Sequence, residues 1–132
     1  MFDQTEPTRE ERLRSRDISN LLALLDVIDF PSTIEHLRWD AKYIHSLITY
    51  EYSNIYSVYS SPVFTLSDPA LSNITEALVV AWSDLMVSFR DAPYDYLSHS
   101  DTYSFHTPGD FCRNQEEHDL YDKMLTYVDS KR

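Results

Sequence analysis

The chain has one glycine, Gly109, and one cysteine, Cys112, in 132 residues. Sheets joined by tight hairpins draw on several residues at positive φ, whereas helices joined by loops need few, so scarce glycine points to helices. A lone cysteine excludes an intramolecular disulfide, and the N-terminal "MFDQTEPTREERLRSRD" lacks the basic-then-apolar layout of a secretory leader. A reducing, cytoplasmic setting is expected, in which the Asn73-Ile74-Thr75 sequon has no consequence. The apolar runs "LLALL" and "ALVVAW" fall far short of the roughly 20 residues that span a bilayer, so no membrane partner is expected. Positive charge is also scarce, with 11 Lys and Arg against 22 Asp and Glu for a net charge of −11, and none at all between Lys42 and Arg90. Such a chain repels phosphate backbones and attracts basic protein surfaces. Direct nucleic-acid binding is therefore disfavoured.

What is present suffices for one domain over residues 1–132, long enough to bury a core without staples. Thr8 and Glu11 have the spacing of a capping box and predict a helix over about 9–28, its first half charged and solvated, its second half presenting Ile18, Leu21, Leu22, Leu25 and Ile28 as a stripe. Phe30-Pro31 breaks it. Ser32 and Glu35 repeat the box, and Ile34, Leu37, Ala41, Ile44, Ile48, Ile55 and Val58 continue a helical period over about 33–59, one step being filled by Glu51 or Tyr52. The Tyr- and Ser-rich end of that segment also has strand propensity, so a shorter helix followed by extended chain is an alternative. Asp68 and Pro69 open a third helix over about 69–90 with Leu71, Ile74, Leu78, Ala81, Leu85 and Phe89 as its apolar stripe. Asn114 and Glu117 cap a fourth over about 114–129, after a long stretch, 93–111, without clear period. The expected fold is all-α: a single-domain four-helix bundle with a long irregular loop before the last helix.

Three polar constellations stand out. Arg113-Asn114 followed by His118 lies at the start of the last helix. This arrangement resembles the signature of the HEPN-domain ribonucleases. The resemblance implies a helical bundle acting as a dimer that cleaves RNA without metal, with Arg113 stabilising the phosphate and His118 serving acid-base or transition-state chemistry. The intervening residues are all polar and include Glu116 and Glu117, and within one regular helix Arg113 and His118 would point roughly 140° apart, so Arg113 would have to reach in from the preceding loop. A second pair, Arg38 and His45, shares a helix face with a charged edge if the segment is helical. His99, His106, Cys112 and His118, with Asp95, Asp101 and Asp110 among them, are zinc-competent types, but their spacing is no known ligand framework. No metal and no cofactor is expected.

Tyr52, Tyr56 and Tyr59 share one helix face and are suited either to an interface or to a core edge. Residues 67–132 carry twelve acids against five bases. The favoured expectation is a non-enzymatic acidic module that binds a protein with a basic, nucleic-acid-binding surface, as an inhibitor, antitoxin-like or immunity-type factor. Its contacts would fall on Asp84, Asp91, Asp95, Asp101, Glu116, Glu117, Asp119 and Asp122, with the three tyrosines as anchors. The alternative is the ribonuclease, and a homodimer is compatible with either.

Overall fold

The computed structural model describes residues 6–105 and 114–132. The chain is predominantly helical with a small three-stranded sheet, so the all-α expectation is corrected. Its elements are α1 (Arg9–Leu25), α2 (Phe30–Leu37), β1 (Tyr43–His45), α3 (Ser46–Tyr59), α4 (Pro69–Arg90), β2 (Tyr94–Leu97), β3 (Thr102–Phe105) and α5 (Gln115–Lys131). Among the described residues five helices stand where four were expected.

α1 starts on the predicted box, with the Glu11 N–H donating to Thr8 Oγ1 and the Thr8 N–H to Glu11 Oε2. It ends at Leu25 rather than Ile28. α2 is capped by Asp29 rather than Ser32: the Asp29 carboxylate accepts from both the N–H and the hydroxyl of Ser32. Pro31 fits the first turn, where an N–H would be orphaned in any case.

The helix expected over 33–59 is broken in two. Asp40 folds the chain back on itself, its carboxylate accepting from the Lys42 N–H and its carbonyl from the Tyr43 N–H. An aspartate makes this local turn without glycine or proline. The freed residues 43–45 become β1, and His45 then caps α3 by accepting the Leu47 N–H at Nδ1. Four of the periodic apolar residues, Ala41, Ile44, Ile48 and Ile55, are nonetheless buried, whereas Ile34 remains exposed.

The expected loop over 93–111 contains a hairpin. β2 and β3 pair antiparallel from Tyr94–Phe105 to Leu97–Thr102, and β1 adds to the other side of β3 in the order β1-β3-β2. Residues 98–101 make the turn without glycine because Asp101 takes φ 51°, a left-handed conformation that Asp tolerates better than most side chains. Two β-prone runs, "YDYL" and "TYSF", flank it. The remainder of that loop, 106–111, lies outside the described residues.

The core gathers Leu24, Ile28, Ile44, Ile48, Ile55, Trp82, Leu85 and Val128 from four helices and β1. Trp82 Nε1 donates to the Ile48 carbonyl, tying α4 to α3 without leaving the indole N–H unsatisfied. Two predicted stripes do not face inward as expected. On α4 the buried positions are Thr75, Val79, Trp82, Leu85 and Ser88, while Ile74 and Leu78 are exposed. On α1 only Leu24 and Asp17 are buried, and Ile18, Leu22 and Leu25 are exposed. α4 is also long and apolar enough, by length and composition, to cross a bilayer, a property that the separate short runs in the sequence conceal.

Candidate functional site

A ladder of rings joins the end of α4, the hairpin and the first half of α5. Phe89 lies 4.8 Å from Tyr94, Tyr94 lies 5.2 Å from Phe105, and Phe105 lies 6.3 Å from Tyr121. The Tyr94 hydroxyl donates to the Ala41 carbonyl, and burial pushes its pKa up. The segments that this ladder joins are rich in acids. Asp91 closes α4, Asp95 neighbours Tyr94 on β2, and Glu117, Asp119 and Asp122 flank Tyr121 on α5. Residues 90–105 and 114–123 carry seven carboxylates against two Lys or Arg, namely Arg90 and Lys123.

The candidate acids differ in the work they do inside the fold. Asp84 and Asp91 are exposed and lie two turns apart, on one face of α4. Asp91 sits where the helix dipole disfavours a carboxylate, and Arg90 Nε approaches it at 3.4 Å. Glu116 and Glu117 occupy the first turn of α5, where the dipole favours them, and the Glu117 N–H caps onto Asn114. Asp119 accepts from Gln115 Nε2 at 2.9 Å. Asp101 is engaged within the hairpin. The hydroxyls of Ser46 and Tyr96 hold its carboxyl below the ordinary range, the Tyr96 hydroxyl donating at 2.5 Å, and that same bond pushes Tyr96 up to about 12.

His118 faces carboxylates on its own helix. Its Nδ1 lies 3.3 Å from Asp122 and 4.0 Å from Asp119. These residues bring three ligand-type atoms within 4.8 Å of one another, a grouping that helix neighbours at one and four positions provide unaided. Arg113, the other half of the ribonuclease-like pair, lies outside the described residues, as do His106, Asp110 and Cys112. His99 is exposed at the hairpin turn, so among the described residues the proposed zinc-competent types do not come together.

The tyrosine face divides. Tyr56 is exposed, Tyr52 is half-buried between Tyr56 at 5.9 Å and Trp82 at 6.4 Å, and Tyr59 packs on Phe64 at 5.6 Å. Two of the three thus border the core, and Tyr56 alone offers a largely open ring.

Sequence reasoning missed one inward-facing carboxylate and left a second open as Glu51 or Tyr52. Asp17, expected in a solvated stretch, is buried and accepts the N–H groups of Ser67 at 2.7 Å and Asp68 at 3.0 Å. These bonds, the one from Ser67 first, hold its pKa down. Asn20 completes the clamp by donating to the Thr65 carbonyl. Glu51 is buried among α1, α2 and α3, accepting the Asp29 N–H at 2.9 Å and the Thr33 hydroxyl. Its position in the apolar stripe between Ile48 and Ile55 was the readable signal. His36 also escaped notice: it stacks on His45 at 4.2 Å with Trp39 edge-on, and burial together with His45 lowers its pKa against the opposing pull of Glu35 and Glu51. Arg38, expected to share a helix face with His45, instead ends α2, before the turn that separates them.

Comparison with protein-family models, with curated proteins and with solved structures finds no match to this chain.

Proposed function

We propose that the protein is a non-enzymatic binding module whose acidic end engages a basic, nucleic-acid-binding surface of another protein. The observation that carries this reading is the acidity of the segments that one aromatic ladder joins, residues 90–105 and 114–123 holding seven carboxylates against two cations. Exposed carboxylates held on regular elements can match the spaced Lys and Arg of a phosphate track at little cost in ordering, and they accelerate encounter with it. An inhibitor, antitoxin-like or immunity-type role follows from occupying that track.

The test compares two variants of equal net charge. One neutralises Asp91, Glu116, Asp119 and Asp122 as amides; the other neutralises the exposed Glu6, Glu10, Asp26 and Glu35. Binding to a labelled arginine-rich peptide at about 150 mM salt is read by fluorescence anisotropy, because exposed charges farther apart than roughly 8 Å are screened there. Selective loss in the first variant supports a localised site, and equal loss in both reduces the acidity to net charge. The ribonuclease alternative is separated by incubating the parent, Arg113→Ala and His118→Ala with cellular RNA under metal-free conditions. Cleavage by the parent that both variants lose would replace the binding reading with catalysis.

A further inference from the structure

The stripe of α4 that fails to reach the core helps form a groove of about 340 Å³ between α2 and α4. Its walls are Phe30, Ile34, Leu37, Leu78, Trp82 and Leu85, with the small Ala81 between them. Ile34 remains 48% exposed and Leu78 36% exposed, so these side chains face the opening rather than a neighbour's interior.

Two wall residues carry polar groups, and both are already used inside the fold. The Thr33 hydroxyl donates to Glu51, and Trp82 Nε1 donates to the Ile48 carbonyl. The walls therefore offer mostly hydrocarbon contacts and no free side-chain donor for a carbonyl or hydroxyl entering between them. An extended peptide would leave its own N–H and C=O groups unpaired there, at a cost that an alkyl chain does not incur.

The lining also includes Lys131 and Arg132, and among the described residues no Asp or Glu side chain lines the groove, although the chain carries twice as many acids as bases. Arg132 is held in place, donating to the Leu37 carbonyl at 3.2 Å and meeting Asp129 at 2.5 Å. The Lys131 ammonium lies 5.3 Å from the centre of the Tyr127 ring. An apolar trough bordered by the Lys131 ammonium, with Arg132 already paired to Asp129, complements a molecule with an alkyl tail and an anionic head.

We infer that this groove binds the anion of a free aliphatic carboxylic acid of medium chain length, with its hydrocarbon along Ile34, Leu78 and Trp82 and its carboxylate at Lys131. The volume lies near the lower end of small-molecule sites, which suits a single unbranched chain. This site is distinct from the acidic end and does not depend on the function proposed there.

Titration calorimetry of the full chain with octanoate, decanoate and dodecanoate below their micelle concentrations tests the inference, with Trp82 emission as a second readout. One saturable site is expected, tightening about three- to fourfold per added methylene until the groove is filled. Decyltrimethylammonium should bind at least about tenfold more weakly than decanoate, given the strength of charge-assisted contacts. Leu78→Glu should abolish decanoate binding, and Lys131→Met should weaken decanoate while leaving decan-1-ol unchanged. Circular dichroism verifies folding; if Leu78→Glu fails to fold, Ile34→Glu gives the same reading from a half-exposed position. Absence of saturable binding, equal affinity for the cationic and anionic amphiphiles, or undiminished binding by a folded glutamate variant would each overturn the assignment.

Discussion

Carboxylates serve opposite purposes in two regions of this protein. Between α1 and the start of α4, and between α2 and α3, Asp17 and Glu51 respectively are buried and accept backbone and hydroxyl donors from distant segments. Where α4, the hairpin and α5 meet, Asp91, Asp119 and Asp122 are exposed, and Arg90, Gln115 and His118, which they meet, lie on neighbouring positions of the same helical segments. Net charge treats the two sets alike, yet the first organises the fold and the second is open to solvent and to a partner. A carboxylate's contribution depends on whether water or the protein supplies its donors.

That contrast can be broken from either side. The largest effect is expected from Glu51→Ala, which leaves the Asp29 N–H and Thr33 hydroxyl without their acceptor in a buried setting. A loss of about 2 to 4 kcal/mol in unfolding free energy is expected by urea titration, with peptide binding unchanged in the folded fraction. A loss below about 0.5 kcal/mol would mean that Glu51 is not an internal strut.

Next comes Trp82→Phe, which keeps most of the packing but removes the hydrogen bond from the indole to the Ile48 carbonyl; about 1 kcal/mol is expected by the same titration. Neutralising Asp91, Glu116, Asp119 and Asp122 together should instead change stability by less than about 1 kcal/mol, since surface substitutions and exposed ion pairs contribute little. Its effect should appear in arginine-rich peptide binding and in the salt dependence of that binding. Unfolding by this variant would erase the distinction between the two regions.

The smallest effects concern pH. His36 has a folded pKa below the ordinary 6.5, so the folded state takes up its proton less readily than the unfolded state. Stability from this source is full above that value and is lost as pH falls below it, and His36→Phe should flatten the slope of melting temperature between pH 7 and 5. Asp17 and Asp101 are lowered from 3.8, so their contributions persist through that window and are lost only as pH falls further. A melting temperature that rises on acidification from pH 7 to 5 in the parent, and not in His36→Phe, would contradict the assignment for His36.

Local signals were legible where a helix declares its own boundary. The Thr8 box, the Asp68 and Pro69 start and the Asn114 cap are written in residues three or four positions apart, because capping is a short-range hydrogen-bond problem. The Asp40 turn was harder to read, because an apolar period that continues across it reads as one helix while its residues reach the same core by a different path. The hairpin went unread because its turn uses Asp101 in place of glycine.

The sequence by itself determined the charge imbalance, the helical bias and the identity of the caps, since these depend on composition and near neighbours. Only the tertiary structure decided which acids face inward, which stripe of α4 is covered and which segments the aromatic ladder joins. Glu51 and Asp91 are both carboxylates on helical segments, and Leu78 and Leu85 are both leucines on α4. What separates the members of each pair is the distant segment that packs against one and not the other, and that is set by long-range packing rather than by periodicity.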